Sequence, residues 1–106
     1  VFNAQPQLPG HAASMVGGEA IRGYHEEEAR KALDPALAAL AGRGLKATAA
    51  WKAGPAGETI AEYAEKGGYG LVIMGSHGNS ALGNLVLGSV ATKVLAHCGT
   101  PVLLVR

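Results

Sequence analysis

The chain has 106 residues, 16% of them charged and 48% hydrophobic, with a formal net charge of +1. That composition describes one domain at most, globular rather than disordered; with no Lys/Arg cluster it also argues against a nucleic-acid partner. One cysteine, Cys98, excludes an internal disulfide and a multi-cysteine metal centre. No apolar run approaches the roughly 20 residues needed to cross a bilayer, and no basic and then apolar leader stands at the N-terminus. A soluble, cytoplasmic protein is expected.

The first residues, Val1-Phe2-Asn3, read as the end of a strand, as if the sequence started partway through a domain. Ala4 to Gly18 carries Pro6, Pro9, Gly10, Gly17 and Gly18 and reads as a long loop. Glu19 to Ala41 is helical in pattern, with Tyr24, Ala29, Ala32, Leu33, Ala36, Leu37 and Leu40 on one broad face. Glu26 with Arg30 and Glu27 with Lys31 form i,i+4 pairs on the other. Pro35 removes one backbone donor and is expected to kink or divide this helix, with Asp34 capping the second piece; Gly42 and Gly44 end it.

Leu45 to Trp51 alternates like a strand, and Gly54-Pro55-Ala56-Gly57 is a turn. Glu58 to Lys66 is a short helix with Ile60, Ala61 and Ala64 inward, closed by Gly67-Gly68. Leu71 to Met74 is apolar at every position, which predicts a strand covered on both faces. Gly88 to His97 is a helix, broken at Gly99-Thr100-Pro101 before a last apolar strand, Val102 to Val105. Strands and helices alternate throughout, so the fold class is α/β: an open parallel sheet with flanking helices, Rossmann-like, whose ligands bind beyond the carboxyl ends of the strands.

The chemistry concentrates where the apolar run Leu71 to Met74 meets Gly75-Ser76-His77-Gly78; nine residues later Gly88-Ser89-Val90 opens a helix. Glycines let backbone N–H groups converge, and a helix N-terminus adds unpaired donors and a positive dipole end. This is an anion-gripping arrangement, with a plain glycine turn and a serine cap as the alternative. Gly83 and Gly88 have the spacing of a Walker A loop, but Ser89 stands where that loop requires lysine, so a P-loop NTPase is excluded. His77 is read as a ligand contact rather than a catalyst, since no carboxylate is placed beside it, with an exposed loop histidine as the alternative. His11, His25 and His97 lack metal-ligand spacing and are read as solvated surface. Cys98, Trp51 and Tyr63 are read as packing residues. Gly54 to Gly57 lines the same cleft or is a simple connection. Leu82, Leu85, Val86 and Leu87 either pack inward or meet a partner.

The run Met74-Gly75-Ser76-His77-Gly78, nine residues, Gly88-Ser89-Val90, then Cys98-Gly99-Thr100-Pro101-Val102-Leu103-Leu104-Val105 resembles the C-terminal half of a universal stress protein. The family pattern G-x-x-G, nine residues, G-S/T is met without a gap, and the resemblance extends over essentially the whole chain. It implies the ATP-binding subgroup, with an adenine nucleotide alpha hydrolase-like fold and ATP, with or without Mg, as ligand. Gly75, Ser76, His77 and Gly78 would meet the ribose and phosphates, and Gly88 and Ser89 the phosphates. Met74 and Val90 would line the pocket, and Val1 would match a valine near adenine. The resemblance also implies a homodimer through the last strand, Val102, Leu103, Leu104 and Val105, an apolar edge suited to a partner.

The family's first strand and first helix have no counterpart, although that strand is central in its order 3-2-1-4-5, and Tyr69-Gly70 replaces a common alanine-aspartate. The expectation is therefore a single universal stress protein domain over 1–106 lacking its first strand and helix, with the adenine side of the pocket incomplete. Three functions follow in rank: a nucleotide-binding module in stress response or regulation; a slow ATPase or self-phosphorylating enzyme with Ser89 or Ser76 as acceptor; and an assembly subunit with impaired nucleotide binding. The enzyme ranks below binding because no general base or metal-binding carboxylate stands at recognisable spacing near the loop.

Overall fold

The computed structural model describes residues 1–7, 17–76 and 87–106. His11 and the loop residues His77, Gly78, Leu82, Gly83, Leu85 and Val86 lie outside the described residues. The elements run β1 (Phe2–Gln5), α1 (Gly18–Gly42), β2 (Ala50–Ala53), α2 (Ala56–Lys66), β3 (Val72–Gly75), α3 (Ser89–His97) and β4 (Val102–Val105). The strands form two parallel two-stranded sheets, β1–β2 and β3–β4, each pair bridged in sequence by helix. The chain divides into two compact units, Val1–Pro55 and Ala56–Arg106.

In the first unit α1 packs on the β1–β2 pair. His25, Ala29 and Leu33, spaced four apart, are its buried line. The sequence reading placed His25 in solvent; instead it is only 4% exposed, and its ring lies 6.0 Å from that of Trp51 on β2. Its position in the i, i+4, i+8 row with Ala29 and Leu33 puts it there. Tyr24 and Ala32, expected inward, are exposed. Pro35 does not divide α1, so Asp34 starts no second helix. Pro35 and Lys31, whose carbonyl loses its donor, both lie on the exposed side, where water can replace the missing bond. Arg30 pairs with Glu26 at 3.1 Å as the spacing requires, but Lys31 takes Glu28 at 3.0 Å rather than Glu27. The hydrogen bond it donates to Glu28 raises the Lys31 ammonium above its ordinary pKa.

β2 is shorter than the alternation from Leu45 suggests, because it is strand only where β1 lies beside it: Phe2 pairs with Ala50 and Gln5 with Ala53. Helix α1 ends beyond Gly42 in a reverse turn at Gly44, with φ of 77°. The Leu45 N–H donates to Leu40 C=O and the Gly44 N–H to Ala41 C=O, both at 3.0 Å. Helix α2 ends in the same way at Gly68, φ 68°, with Tyr69 N–H on Ala64 C=O at 3.1 Å. That turn throws Tyr69 back onto Tyr63, the rings stacked 5.6 Å apart. The hydrogen bond to Tyr69 raises the Tyr63 phenol above its usual pKa.

In the second unit α2 and α3 pack against each other through small residues: Ala61, Ala64, Ala91 and Val94 are buried. Gly57 permits the closest approach, since a side chain there would meet Lys93 Cβ and lie 3.4 Å from Lys93 Cα. Glu65 Oε1 accepts the Gly99 N–H at 2.6 Å and so holds the turn between α3 and β4. β3 is not covered on both faces. Val72 and Met74 are half-buried, but Ile73 is 65% exposed, and its cross-strand neighbour Leu103 is 51% exposed. Alternation along each strand puts these side chains on the open face of the β3–β4 ladder.

Gly57→Ala is expected to destabilise the protein by about 1–3 kcal/mol through this helix contact. The clash outweighs the gain of up to about 1 kcal/mol that alanine ordinarily brings to a helix. A lower urea midpoint at unchanged slope would show it, and an unchanged or higher midpoint would refute it.

Candidate functional site

The site grows from the carboxyl end of β3. Gly75 pairs in register with Val105, and the next residue, Ser76, is 8% exposed. Ser76 N–H donates to Val105 C=O at 2.9 Å, one step past the last ladder pair. Ser76 C=O accepts the Gly88 N–H at 2.8 Å. One hydrogen bond therefore joins the end of β3 to the start of α3 and closes residues 77–87 at their base.

Gly88 is the N-cap of α3, with φ −60° and ψ 153° and no side-chain cap. Its carbonyl accepts the Thr92 N–H at 3.0 Å, the first helical bond, and also the Thr92 hydroxyl at 2.9 Å. The N–H groups of Ser89, Val90 and Ala91 precede that first bond and have no partner within the helix. Ser89 and Val90 are exposed, and no acidic residue occupies the first turn of α3, so no side chain of that turn offsets the positive end of the helix. The arrangement can accept an anion on two to three convergent backbone donors.

Of the residues singled out in the sequence, the structure brings Gly75, Ser76, Gly88, Ser89 and Val90 together at this one end of the β3–β4 unit, with Met74 half-buried one step back on β3. The Gly88 N–H is spent on Ser76, so its share in an anion site is to set the helix start rather than to donate. His77 and Gly78 lie outside the described residues. Val1 belongs to the first unit, where its carbonyl accepts the Ala50 N–H at 3.0 Å. Thr92 was passed over in the sequence; a threonine four residues after a helix-opening glycine is the signal that could have found it, since its hydroxyl reaches the carbonyl one turn back. Gly57 serves helix packing.

A 510 Å³ cavity elsewhere on this unit is lined by Glu58, Ala61, Glu62, Glu65, Lys66 and His97. Its three carboxylates would repel a polyphosphate, so the helix start is the better anion site. Among the described residues, no three His, Cys, Asp or Glu side chains converge as a metal site, and no helix is long and apolar enough to cross a membrane.

Parallel strands, flanking helices and a glycine-opened helix beyond a strand end define a Rossmann-like α/β architecture. The universal stress protein family matches residues 1–106, and the chain belongs to that family. It is 35% identical over 86 residues to universal stress protein YxiE of Bacillus subtilis, covering 81% of this chain and 58% of that protein. It is 43% identical over 49 residues to universal stress protein MJ0577 of Methanocaldococcus jannaschii, covering 46% of this chain and 30% of that one. The chain thus spans about half or less of the length of these relatives. Among solved structures, hypothetical protein MJ0577 superposes with a TM-score of 0.80 at 28% identity, over 98% of this chain and 72% of that one. Hypothetical protein PH0823 shares the fold, with a TM-score of 0.74 at 23% identity over 98% of this chain and 71% of that one.

The Gly88 amide is expected to exchange its hydrogen slowly while those of Ser89 and Val90 exchange fast. Residue-resolved hydrogen exchange reads this directly; a Gly88 amide as fast as Ser89 would contradict the closed base.

Proposed function

We propose that this chain is an ATP-binding module of a stress-response or regulatory protein, and that the start of α3 holds the phosphates. The observation that carries the reading is the 2.8 Å bond from Gly88 N–H to Ser76 C=O. It sets a helix N-terminus with no acidic residue in its first turn against the carboxyl end of a strand, where α/β sheets bind their ligands. The motif resemblance supplies the identity of the ligand: Gly75, Ser76, His77, Gly78, Gly88 and Ser89 on ribose and phosphates, Met74 and Val90 lining the pocket, Val1 as the match to the family's valine near adenine, and Mg accompanying the phosphates or not. The same reading takes residues 1–106 as belonging to one universal stress protein domain.

Titration of ATP into the full-length protein by calorimetry tests this. Binding tighter than millimolar is expected, and its absence would sink the reading. Gly88→Val should abolish binding while the protein stays folded, since φ −60° and ψ 153° suit any residue and only the ligand's approach is blocked.

The reading includes a homodimer through Val102 to Val105. Among the described residues β4 pairs only with β3, and Leu103 and Val105 are 51% and 49% exposed. An apolar strand with one free edge favours pairing with its own copy. Sedimentation equilibrium should give twice the chain mass, and Leu103→Lys should shift it toward the monomer; a monomer in the wild type would refute the dimer.

A further inference from the structure

We propose that Thr92 is a positioning residue for the phosphate site, acting through the Gly88–Ser89 peptide; the proposal rests on the phosphate reading of the α3 start. Two donors from one residue, the Thr92 N–H at 3.0 Å and the Thr92 hydroxyl at 2.9 Å, meet on the Gly88 carbonyl oxygen. A peptide unit is planar and trans, so its C=O and the following N–H point in opposite directions. Holding the Gly88 carbonyl toward the helix interior therefore aims the Ser89 N–H out of the helix end. Ser89 carries the first N–H of α3 that has no partner within the helix.

The neighbouring peptide is held as well. Gly88 N–H is fixed on Ser76 C=O at 2.8 Å, and Ser76 N–H on Val105 C=O at 2.9 Å. A continuous run of hydrogen bonds thus passes from the end of β4 through Ser76 and Gly88 to the Thr92 hydroxyl. A donor on a peptide carbonyl polarises the N–H of that same peptide, so a second donor on the Gly88 carbonyl makes the Ser89 N–H a stronger donor to an anion. The helix itself gains little from the hydroxyl, since Thr92 is exposed and a hydroxyl bonded back to the carbonyl four residues earlier does not stabilise a helix on its own account. Glycine at the N-cap has no side chain with which to do the same work. The Thr92 hydroxyl supplies from inside the first turn the rigidity that the cap residue lacks.

The test compares Thr92→Val, which keeps the shape and removes the hydroxyl, with Thr92→Ser, which keeps the hydroxyl, in the full-length protein. Inorganic tripolyphosphate and ATP are titrated into each by calorimetry. Thr92→Val is expected to bind both about fivefold more weakly, as for loss of one hydrogen bond, and Thr92→Ser to bind as the wild type does. The Ser89 amide resonance of the free protein should move in Thr92→Val and return in Thr92→Ser, with the thermal midpoint unchanged in all three. Wild-type binding that Thr92→Val leaves intact overturns this proposal alone. Equal weakening by both variants overturns it in favour of a helix-stability role. A wild type that binds neither probe overturns the phosphate reading and this proposal with it.

Discussion

The hydrogen bond from Gly88 N–H to Ser76 C=O is the constraint on which the candidate site depends. It joins two points separated by the eleven residues 77–87. Closing such a span costs entropy, and the closure holds because both ends are already parts of regular structure. Ser76 is held by the sheet through Val105, and Gly88 by the first turn of α3 through Thr92. Sheet and helix therefore share one polar seam, and the unpaired N–H groups of the helix start acquire a fixed place beyond the strand end.

The packing that supports this seam is built from small side chains. The buried apolar residues described are Ala29, Leu33, Ala61, Ala64, Ala91 and Val94. Alanine removes little area from water, so each contact stabilises modestly, and close approach must supply the rest through dispersion. Gly57 against Lys93 is where that approach is tightest. The helix ends add directed bonds where bulk burial is thin: the turns at Gly44 and Gly68 satisfy carbonyls that would otherwise be left open, and the second also stacks Tyr69 on Tyr63.

Much of the fold was legible in local pattern. The order of strands and helices, the helix from Gly18 to Gly42, the glycine stops, the strand from Val102 to Val105 and the helix opened by Gly88 all follow from periodicity and from the chemistry of glycine. What failed did so for non-local reasons. His25 is polar by type but sits in the buried row of its helix, against Trp51. Pro35 is tolerated because the carbonyl it orphans faces water. The alternation from Leu45 is real, yet strand forms only from Ala50, where a neighbour runs alongside. The uniform apolarity of Leu71 to Met74 suggests cover on both faces, and Ile73 shows cover on one.

The sequence by itself determined the family, the alternating α/β order and the glycine-bounded motif between β3 and α3, because these depend on residue type and spacing along the chain. Only the tertiary structure decided how the motif is assembled. It showed that Gly88 gives its N–H to Ser76, that the N–H groups of Ser89, Val90 and Ala91 are the ones without a partner within the helix, and that Thr92 reaches back to the Gly88 carbonyl. The reason is physical: a hydrogen bond between residues twelve apart depends on where the strand and the helix meet in space, and no local propensity encodes that meeting.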